Sequence, residues 1–391
     1  MIFFHQNRIQ KDFSKLLVIK TRCFMWVGKI LINVTLIVGM LLHKNSSRVL
    51  PVLMIEAGNI GWTSVFYSEL QRSATDYIDP DRVITSKIDR SKNYLAQSVK
   101  NLRQYKPTHF CFDTRTGSQE FLPAIFQTIF LTIVLTFLRV IPIVILTDAS
   151  VRQWRYQVFL LTAKSGVIVT FLDPEQMGSL IPHKRIIGPM FMPISIATLT
   201  EIEEKSRLRR NPQDTQPIVY FLGSLYSKRV IFFEEIQSKL LAIRSRVVIK
   251  TESKSHEIVP NSYWEKLTNV ETVITTTFQQ QDPNYIQDLL DIDQLVFRVS
   301  EALAAECILF CSVAPGMEKF FTAGKDFIAY TGITDAVEKI EFYANNPNLA
   351  QEIAKHGHET YRELIEKRYF WKSIDTFLEK PLGIKRDVDY V

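Results

Sequence analysis

The chain has 391 residues, 46% of them hydrophobic and 23% charged. This length passes the roughly 250–300 residues at which one core stops growing, and this balance excludes an intrinsically disordered chain. The formal net charge of +6 sits at one end: residues 1–50 carry Arg8, Lys11, Lys15, Lys20, Arg22, Lys29, Lys44 and Arg48 against one acid, Asp12. The remainder is close to neutral and lacks the basic patch of a nucleic-acid binder, so no nucleic-acid partner is expected.

The basic residues of segment 1–47 flank an apolar run, Ile30 to Leu42. At 13 residues it is short of the roughly 20 that span a bilayer. Three readings stay open: a retained leader that associates with a membrane surface, a buried helix, or a secretory signal. The last finds no small-x-small cleavage site in His43–Arg48.

The folded part is expected to begin near residue 48. Val49 to Ile55 reads as a buried strand, and Glu56-Ala-Gly58-Asn-Ile-Gly61 as a tight turn entering a helix over Thr63 to Ser73. The three-glycine dinucleotide fingerprint is absent. Tyr94 to Tyr105 reads as a helix and Thr108 to Phe112 as a strand followed by the polar loop Asp113-Thr-Arg115-Thr-Gly. Phe121 to Val140 is an apolar helix lying inside an alternating pattern. It reads as a buried or membrane-facing crossover rather than a span. Ile141 to Thr147 is a strand ending on Asp148, and Val167 to Phe171 and Arg185 to Ile187 are further strands.

Thr200 to Thr215 is polar and nearly free of apolar residues, which suits a linker or a solvated helix. The alternation then restarts. Strands are expected at Ile218–Leu222, Val247–Lys250, Ile308–Ser312 and Phe327–Tyr330. Helices are expected at Val230–Ile243, Tyr263–Leu267, Val299–Ala305, up to Tyr343, and from Asn348 to Lys367. Two successive α/β halves with parallel sheets predict a cleft with ligands at the carboxyl ends of the strands. The expected boundaries are a leader at 1–47, an N-terminal domain at 48–200, a linker at 201–216, a C-terminal domain at 217–378 and a tail at 379–391.

Four cysteines (Cys23, Cys111, Cys307, Cys311) lie far apart or within apolar runs, which fits buried thiols in a reducing, cytoplasmic compartment. Cys307 and Cys311 have a metal-like separation, but no His or Cys cluster completes a site, and no metal is expected. In the first half, Asp113 is a candidate acceptor base and Arg115 a candidate cation for an acidic acceptor; the alternative is an Asp-initiated turn in which the two pair. His109 faces a strand and reads as a packed histidine. Glu56, Gly58 and Asp148 stand at strand ends as acceptor-side candidates.

Several short motifs follow one another in the second half. They are Phe297-Arg-Val-Ser-Glu301-Ala-Leu-Ala, Ala314-Pro-Gly316-Met-Glu318, Gly324-Lys-Asp-Phe-Ile-Ala-Tyr330, Asn346-Pro-Asn, Ile353-Ala-Lys-His-Gly357-His and Tyr369-Phe-Trp371. In this order they resemble the C-terminal region of family-1-like GT-B glycosyltransferases, in particular the CgeB (spore-coat-like) branch. Tyr220-Phe-Leu-Gly223-Ser-Leu-Tyr-Ser-Lys228-Arg229 resembles the strand that opens that domain. The resemblance covers about residues 218–378 and implies two Rossmann-like domains, a nucleotide-sugar donor in the second, a glycan, lipid-linked or other acceptor in the first, and no bound metal cofactor.

It also implies roles for particular residues. Glu301 would accept from the ribose hydroxyls, with Asp293, eight positions earlier, as a second acid. Arg298, Lys228 and Arg229 would offset diphosphate charge near Gly223 and Gly316. Each polar residue has a plainer alternative: Arg298 as a partner of Glu301, and Lys228 and Arg229 as solvated cations near a helix start. The family carries glycine where this chain has Glu306. If that glycine permits close approach of the donor, a glutamate there crowds or repels it. This gives an alternative reading as a degenerate scaffold that binds a sugar or partner; a third is an epimerase of the same architecture.

Overall fold

The computed structural model describes residues 51–383 apart from 59–62, 89–93, 114–120, 148–156, 159, 163–164, 181–183, 209–216, 224, 226, 253–259 and 280–291. The leader at 1–47 and the end of the tail lie outside these residues.

The first domain runs β1 (Leu53–Gly58), α1 (Thr63–Tyr77), β2 (Val83–Ile88), α2 (Tyr94–Tyr105), β3 (His109–Asp113), α3 (Phe121–Leu138), β4 (Ile141–Leu146), β5 (Val167–Thr170), α4 (Pro174–Leu180) and β6 (Ile186–Ile187). Its six strands are all parallel, in the order β2-β1-β3-β4-β5-β6. Every residue of β3, β4 and β5 is buried. Continuous apolar runs of this kind are what a sheet covered on both faces requires.

Helix α5 (Ile196–Arg207) leads out of the first domain. The second contains β7 (Ile218–Leu222), α6 (Ser227–Ala242), β8 (Val248–Glu252), α7 (Pro260–Thr268), β9 (Thr272–Thr275), the short pair β10 (Phe278–Gln279) and β11 (Ile292–Asp293), α8 (Phe297–Ala304), β12 (Ile308–Cys311), β13 (Ile328–Ala329), α9 (Ile333–Ala344), α10 (Pro347–Glu366) and α11 (Tyr369–Phe377). Its parallel sheet is ordered β13-β12-β9-β7-β8. Both sheets therefore reverse strand order beside their first strand, between β1 and β3 and between β7 and β9. Such a reversal opens a crevice at the carboxyl ends of the strands.

Three features differ from the sequence expectations. Strands β2 and β9 were not foreseen, and β9 is the centre of its sheet. Of the two alternatives for the polar stretch after residue 200, a linker or a solvated helix, its start to Arg207 is helix, but not a wholly solvated one: α5 buries Leu199 and Ile202, and α1 holds its start through Glu69, which accepts from the Ser195 amide at 3.0 Å and the Thr198 hydroxyl at 3.0 Å. Finally, the chain returns to the first domain at its end. In α11, Trp371 Nε1 donates to Ser73 Oγ at 3.0 Å, and Asp375 accepts from the Tyr77 hydroxyl at 3.0 Å. The expected tail continues this return: Arg82 donates to the Leu382 carbonyl at 2.7 Å, and His109 Nε2 faces the Lys380 carbonyl at 2.8 Å, which requires the Nε2–H tautomer. His109 is indeed packed, and burial lowers its pKa.

The Phe121 helix is a crossover, α3, between β3 and β4. Among the described residues no helix is long and apolar enough to cross a membrane. Cys111, Cys307 and Cys311 are free, buried thiols.

Candidate donor site and interdomain junction

The two domains meet through the carboxyl edges of their sheets. Just after β4, the Thr147 carbonyl accepts from Gln294 Nε2 at 2.7 Å; just after β5, the Phe171 carbonyl accepts from the Leu295 amide at 2.9 Å. Phe297, the first residue of α8, stacks on Phe66 of α1 with ring centroids 4.7 Å apart. It meets Phe171 edge-on at 4.8 Å. These rings belong to one apolar cluster that runs from Leu53 in the first domain to Trp371 in the last helix.

At the β7/β9 reversal the sequence places Gly223 directly after β7 and the run Thr275-Thr276-Thr277 at the end of β9. Arg229, in the first turn of α6, reaches across: its Nε donates to Thr276 Oγ1 at 3.2 Å, and its guanidinium lies 5.6 Å from the Phe221 ring centroid. From the neighbouring β12, Ser312 Oγ accepts from the Thr277 amide at 2.8 Å and pairs with the Thr277 hydroxyl at 2.8 Å. That hydroxyl also faces Asp293 Oδ1 at 3.5 Å, and Asp293 is solvent-exposed. One cation, three hydroxyls and one open carboxylate thus converge where the topology opens the crevice. A cation and hydroxyls beside a helix start are the groups that a diphosphate needs.

Arg298 and Glu301 stand apart from this group. They pair with each other, Nη1 to Oε2, at 2.9 Å with side chains only 6% and 3% exposed. Tyr263 of α7 completes a triad: its hydroxyl donates to Glu301 Oε2 at 2.5 Å and accepts from Arg298. Burial is the largest influence on Arg298 and alone would lower its pKa, but the Glu301 carboxylate and Tyr263 together outweigh it and the pKa is raised. The plainer alternative for Arg298, partner of Glu301, is the one the geometry displays. Tyr263 carried no signal in the sequence beyond its place in a short helix.

Gly316 has a left-handed backbone (φ 81°), and a Cβ there would lie 2.6 Å from Pro189 of the first domain. Its glycine thus serves the turn and the close approach of the two domains. Gly223 needs no positive φ; a Cβ on it would meet only the Phe221 ring, at 3.0 Å. Lys228 occupies the first turn of α6 beside Arg229.

Glu306 resolves differently from the expectation. It has φ 52° and follows the end of α8, just before β12 begins. That is the amino edge of the sheet, opposite the edge where the polar group converges. A left-handed backbone at this position is one that favours glycine. Glu306 is exposed at that amino edge.

On the first-domain side, Asp113 is the last residue of β3, fully buried beside Cys111, whose thiol burial and the Asp113 charge push up. Gly58 closes β1 in register with Ile88. Glu56 does not face the crevice: it is 1% exposed, beneath α2, where Ser98 Oγ donates to its Oε1 at 2.7 Å and Oε2 has no partner among the described residues. Burial raises its pKa from 4.5 to about 8. Arg115 and Asp148 lie outside the described residues. The triad of hydroxyls, Thr276, Thr277 and Ser312, was not singled out from sequence. The signal was a threonine run after a strand that had itself gone unseen.

Two parallel α/β domains joined edge to edge, with the last helix crossing back, define the GT-B fold. Residues 255–374 match the family model described as glycosyl transferase-like. Among solved structures, a glycosyltransferase from Rickettsia africae ESF-5 superposes with a TM-score of 0.50 at 10% identity, covering 85% of this chain and 99% of that one. Anabaena Alr3699/HepE, solved in complex with UDP-glucose, gives 0.48 at 9% identity over 82% and 99%. Sucrose-phosphate synthase from Thermosynechococcus elongatus gives 0.48 at 12% over 83% and 96%. No curated protein matches the sequence.

Proposed function

We propose that the chain is a glycosyltransferase that moves a sugar from a nucleotide-sugar donor to an acceptor held against the first domain. The observation carrying this is the convergence of Arg229, Thr276, Thr277, Ser312 and Asp293 at the β7/β9 crevice of a domain that matches a glycosyl transferase-like family. Arg229, with Lys228 in the same helical turn, offsets the charge of the diphosphate leaving group. Stabilising that developing charge is the largest contribution such a site makes. The threonine and serine hydroxyls orient the phosphates, and Asp293 stands at the mouth, toward the transferred sugar.

Glu301 holds the start of α8 in place through Arg298 and Tyr263, and thereby supports the crevice wall that a ribose meets. Asp113 is assigned as the acceptor base, at the carboxyl end of β3 and beside the first sheet's own reversal. A glycan or lipid-linked molecule is the acceptor class, and no step calls for a resident metal. The degenerate-scaffold reading rested on Glu306, whose position at the opposite edge removes its motive.

The test is a thermal-shift screen against UDP, GDP, ADP, CMP and their sugars, on the native chain and on Arg229→Ala. A ligand at 100 times its dissociation constant stabilises by about 2.7 kcal/mol. A shift with one nucleotide that disappears in Arg229→Ala supports the assignment; the absence of any shift overturns it. Release of the same nucleoside diphosphate only when an acceptor is added separates transfer from epimerisation.

A further inference from the structure

Helix α3 has no charged residue along its 18 positions. One side packs into the first domain through Ala124, Leu131 and Leu135, and even its buried threonines are satisfied internally: Thr128 donates to the Ala124 carbonyl and Thr132 to the Thr128 carbonyl, each at 2.7 Å. The other side faces solvent, yet it is aromatic. Phe126, Phe130 and Phe137 are 56%, 48% and 41% exposed, with Leu138 beside them. Spacings of four and seven residues stack these rings on one face over about 16 Å of helix. A helix lying on a domain surface ordinarily turns polar on its solvent side. An aromatic stripe there marks a surface made for an apolar environment.

Its surroundings identify which one. Helix α2 packs alongside and exposes Lys100 and Arg103, with Lys106 just beyond its end. Leu95, Ala96, Val99, Lys100 and Arg103 line, together with Phe130, an open groove of about 540 Å³. Arg139 is exposed at the far end of the stripe. Neither helix contains an acid. We propose that the α2–α3 face docks this domain on an anionic lipid bilayer. Phe126, Phe130 and Phe137 enter the acyl boundary, and Lys100 and Arg103 meet the lipid phosphates.

Charge selects this occupant over others. A second copy related by a two-fold axis would bring two sets of like charges together. The apolar segment at residues 30–42 is flanked by the same positive sign. An anionic bilayer alone satisfies the rings and the cations at once, which is the arrangement of a helix lying in the plane of the interface. The inference is independent of the transfer reaction.

Co-sedimentation of the full chain with phosphatidylcholine vesicles, with and without phosphatidylglycerol, tests it. The native chain is expected to bind preferentially to the anionic vesicles. Lys100→Gln with Arg103→Gln is expected to weaken that binding roughly thirtyfold, from about 1 kcal/mol per charge. Phe126→Ser with Phe130→Ser is expected to weaken it about tenfold or more, while far-ultraviolet circular dichroism shows the fold retained, because both side chains are about half exposed. The indole introduced by Phe130→Trp is expected to be quenched by brominated lipids. Binding retained in both double variants places the membrane contact elsewhere and overturns the proposal. So does an unquenched indole, or a native chain that does not sediment. A change of oligomeric state in the Phe126→Ser, Phe130→Ser variant without vesicles overturns it in favour of self-association.

Discussion

The buried triad of Tyr263, Arg298 and Glu301 makes a quantitative demand on the fold. Arg298 and Glu301 lie 2.9 Å apart with almost no solvent contact, so removing one leaves the other as an uncompensated buried charge. Such a loss costs about 3–5 kcal/mol. For a domain of this size, each kcal/mol moves the melting temperature by about 2–4 °C, so Glu301→Leu and Arg298→Met should each lower it by roughly 10 °C. Replacing both charges with apolar residues, Arg298→Met with Glu301→Leu, should recover most of the loss, because a well-packed apolar pair of similar volume is about as stable as a buried ion pair. Urea unfolding of the four proteins in a double-mutant cycle should therefore give a coupling energy of about 5 kcal/mol or more, the two single losses together less the small cost of the double variant. Single variants that cost less than about 1 kcal/mol, or effects that simply add, would refute the argument. The same double variant isolates the nucleotide question. It is stable but lacks the Glu301 carboxylate, so a nucleotide-induced shift that survives in it shows that this carboxylate is not required for binding.

Three further outcomes are expected. Gly357→Ala puts a Cβ 2.0 Å from the Asp326 carbonyl oxygen and 2.8 Å from Leu303 Cδ2; the overpacking should outweigh the helix propensity gained and cost about 2 kcal/mol, read as a fall in the urea midpoint. Glu306→Gly relieves a left-handed backbone that costs an L-residue about 1–2 kcal/mol, and after the entropy of glycine it should stabilise by up to about 1 kcal/mol. It should leave turnover unchanged, and a gain in turnover would restore the idea that this side chain crowds the donor. Glu56 holds a proton in the folded state up to about pH 8 that the unfolded chain releases near its ordinary 4.5. Stability should therefore fall as pH rises from about 4.5 to 8, by on the order of a few kcal/mol. Glu56→Gln should flatten that slope in melting curves taken at pH 5 and pH 8.

The alternation of strands and helices was legible because fully buried parallel strands such as Ile141–Leu146 leave unbroken apolar runs. Strand β2 escaped because an edge strand needs only a half-buried face, and Val83–Ile88 mixes polar and apolar residues. Strand β9 escaped because Thr272–Thr275 is four residues long and half threonine, so its β-branched character was masked by polarity. The crevice residues were partly readable. Arg229 follows a strand-and-glycine signal, whereas Thr276, Thr277 and Ser312 acquire meaning only once β7, β9 and β12 are side by side. Glu56 and Asp113 look alike in sequence, each near a strand end. The pleat separates them, sending Glu56 beneath α2 and leaving Asp113 at the strand's last residue. Glu306 misled for a related reason: a motif glycine can serve a ligand or a backbone angle, and only the dihedral distinguishes them.

The return of α11 and residues 378–383 to the first domain has a consequence for any attempt to exchange that domain by grafting. A junction placed in the polar stretch between α5 and β7 transfers residues 51–207 without the Trp371, Asp375, Lys380 and Leu382 groups that bond Ser73, Tyr77, His109 and Arg82. A chimera cut once therefore carries a first domain whose last layer comes from the wrong parent. A viable exchange needs two junctions, the second just before Tyr369, so that the first domain is inherited as two separated pieces of sequence.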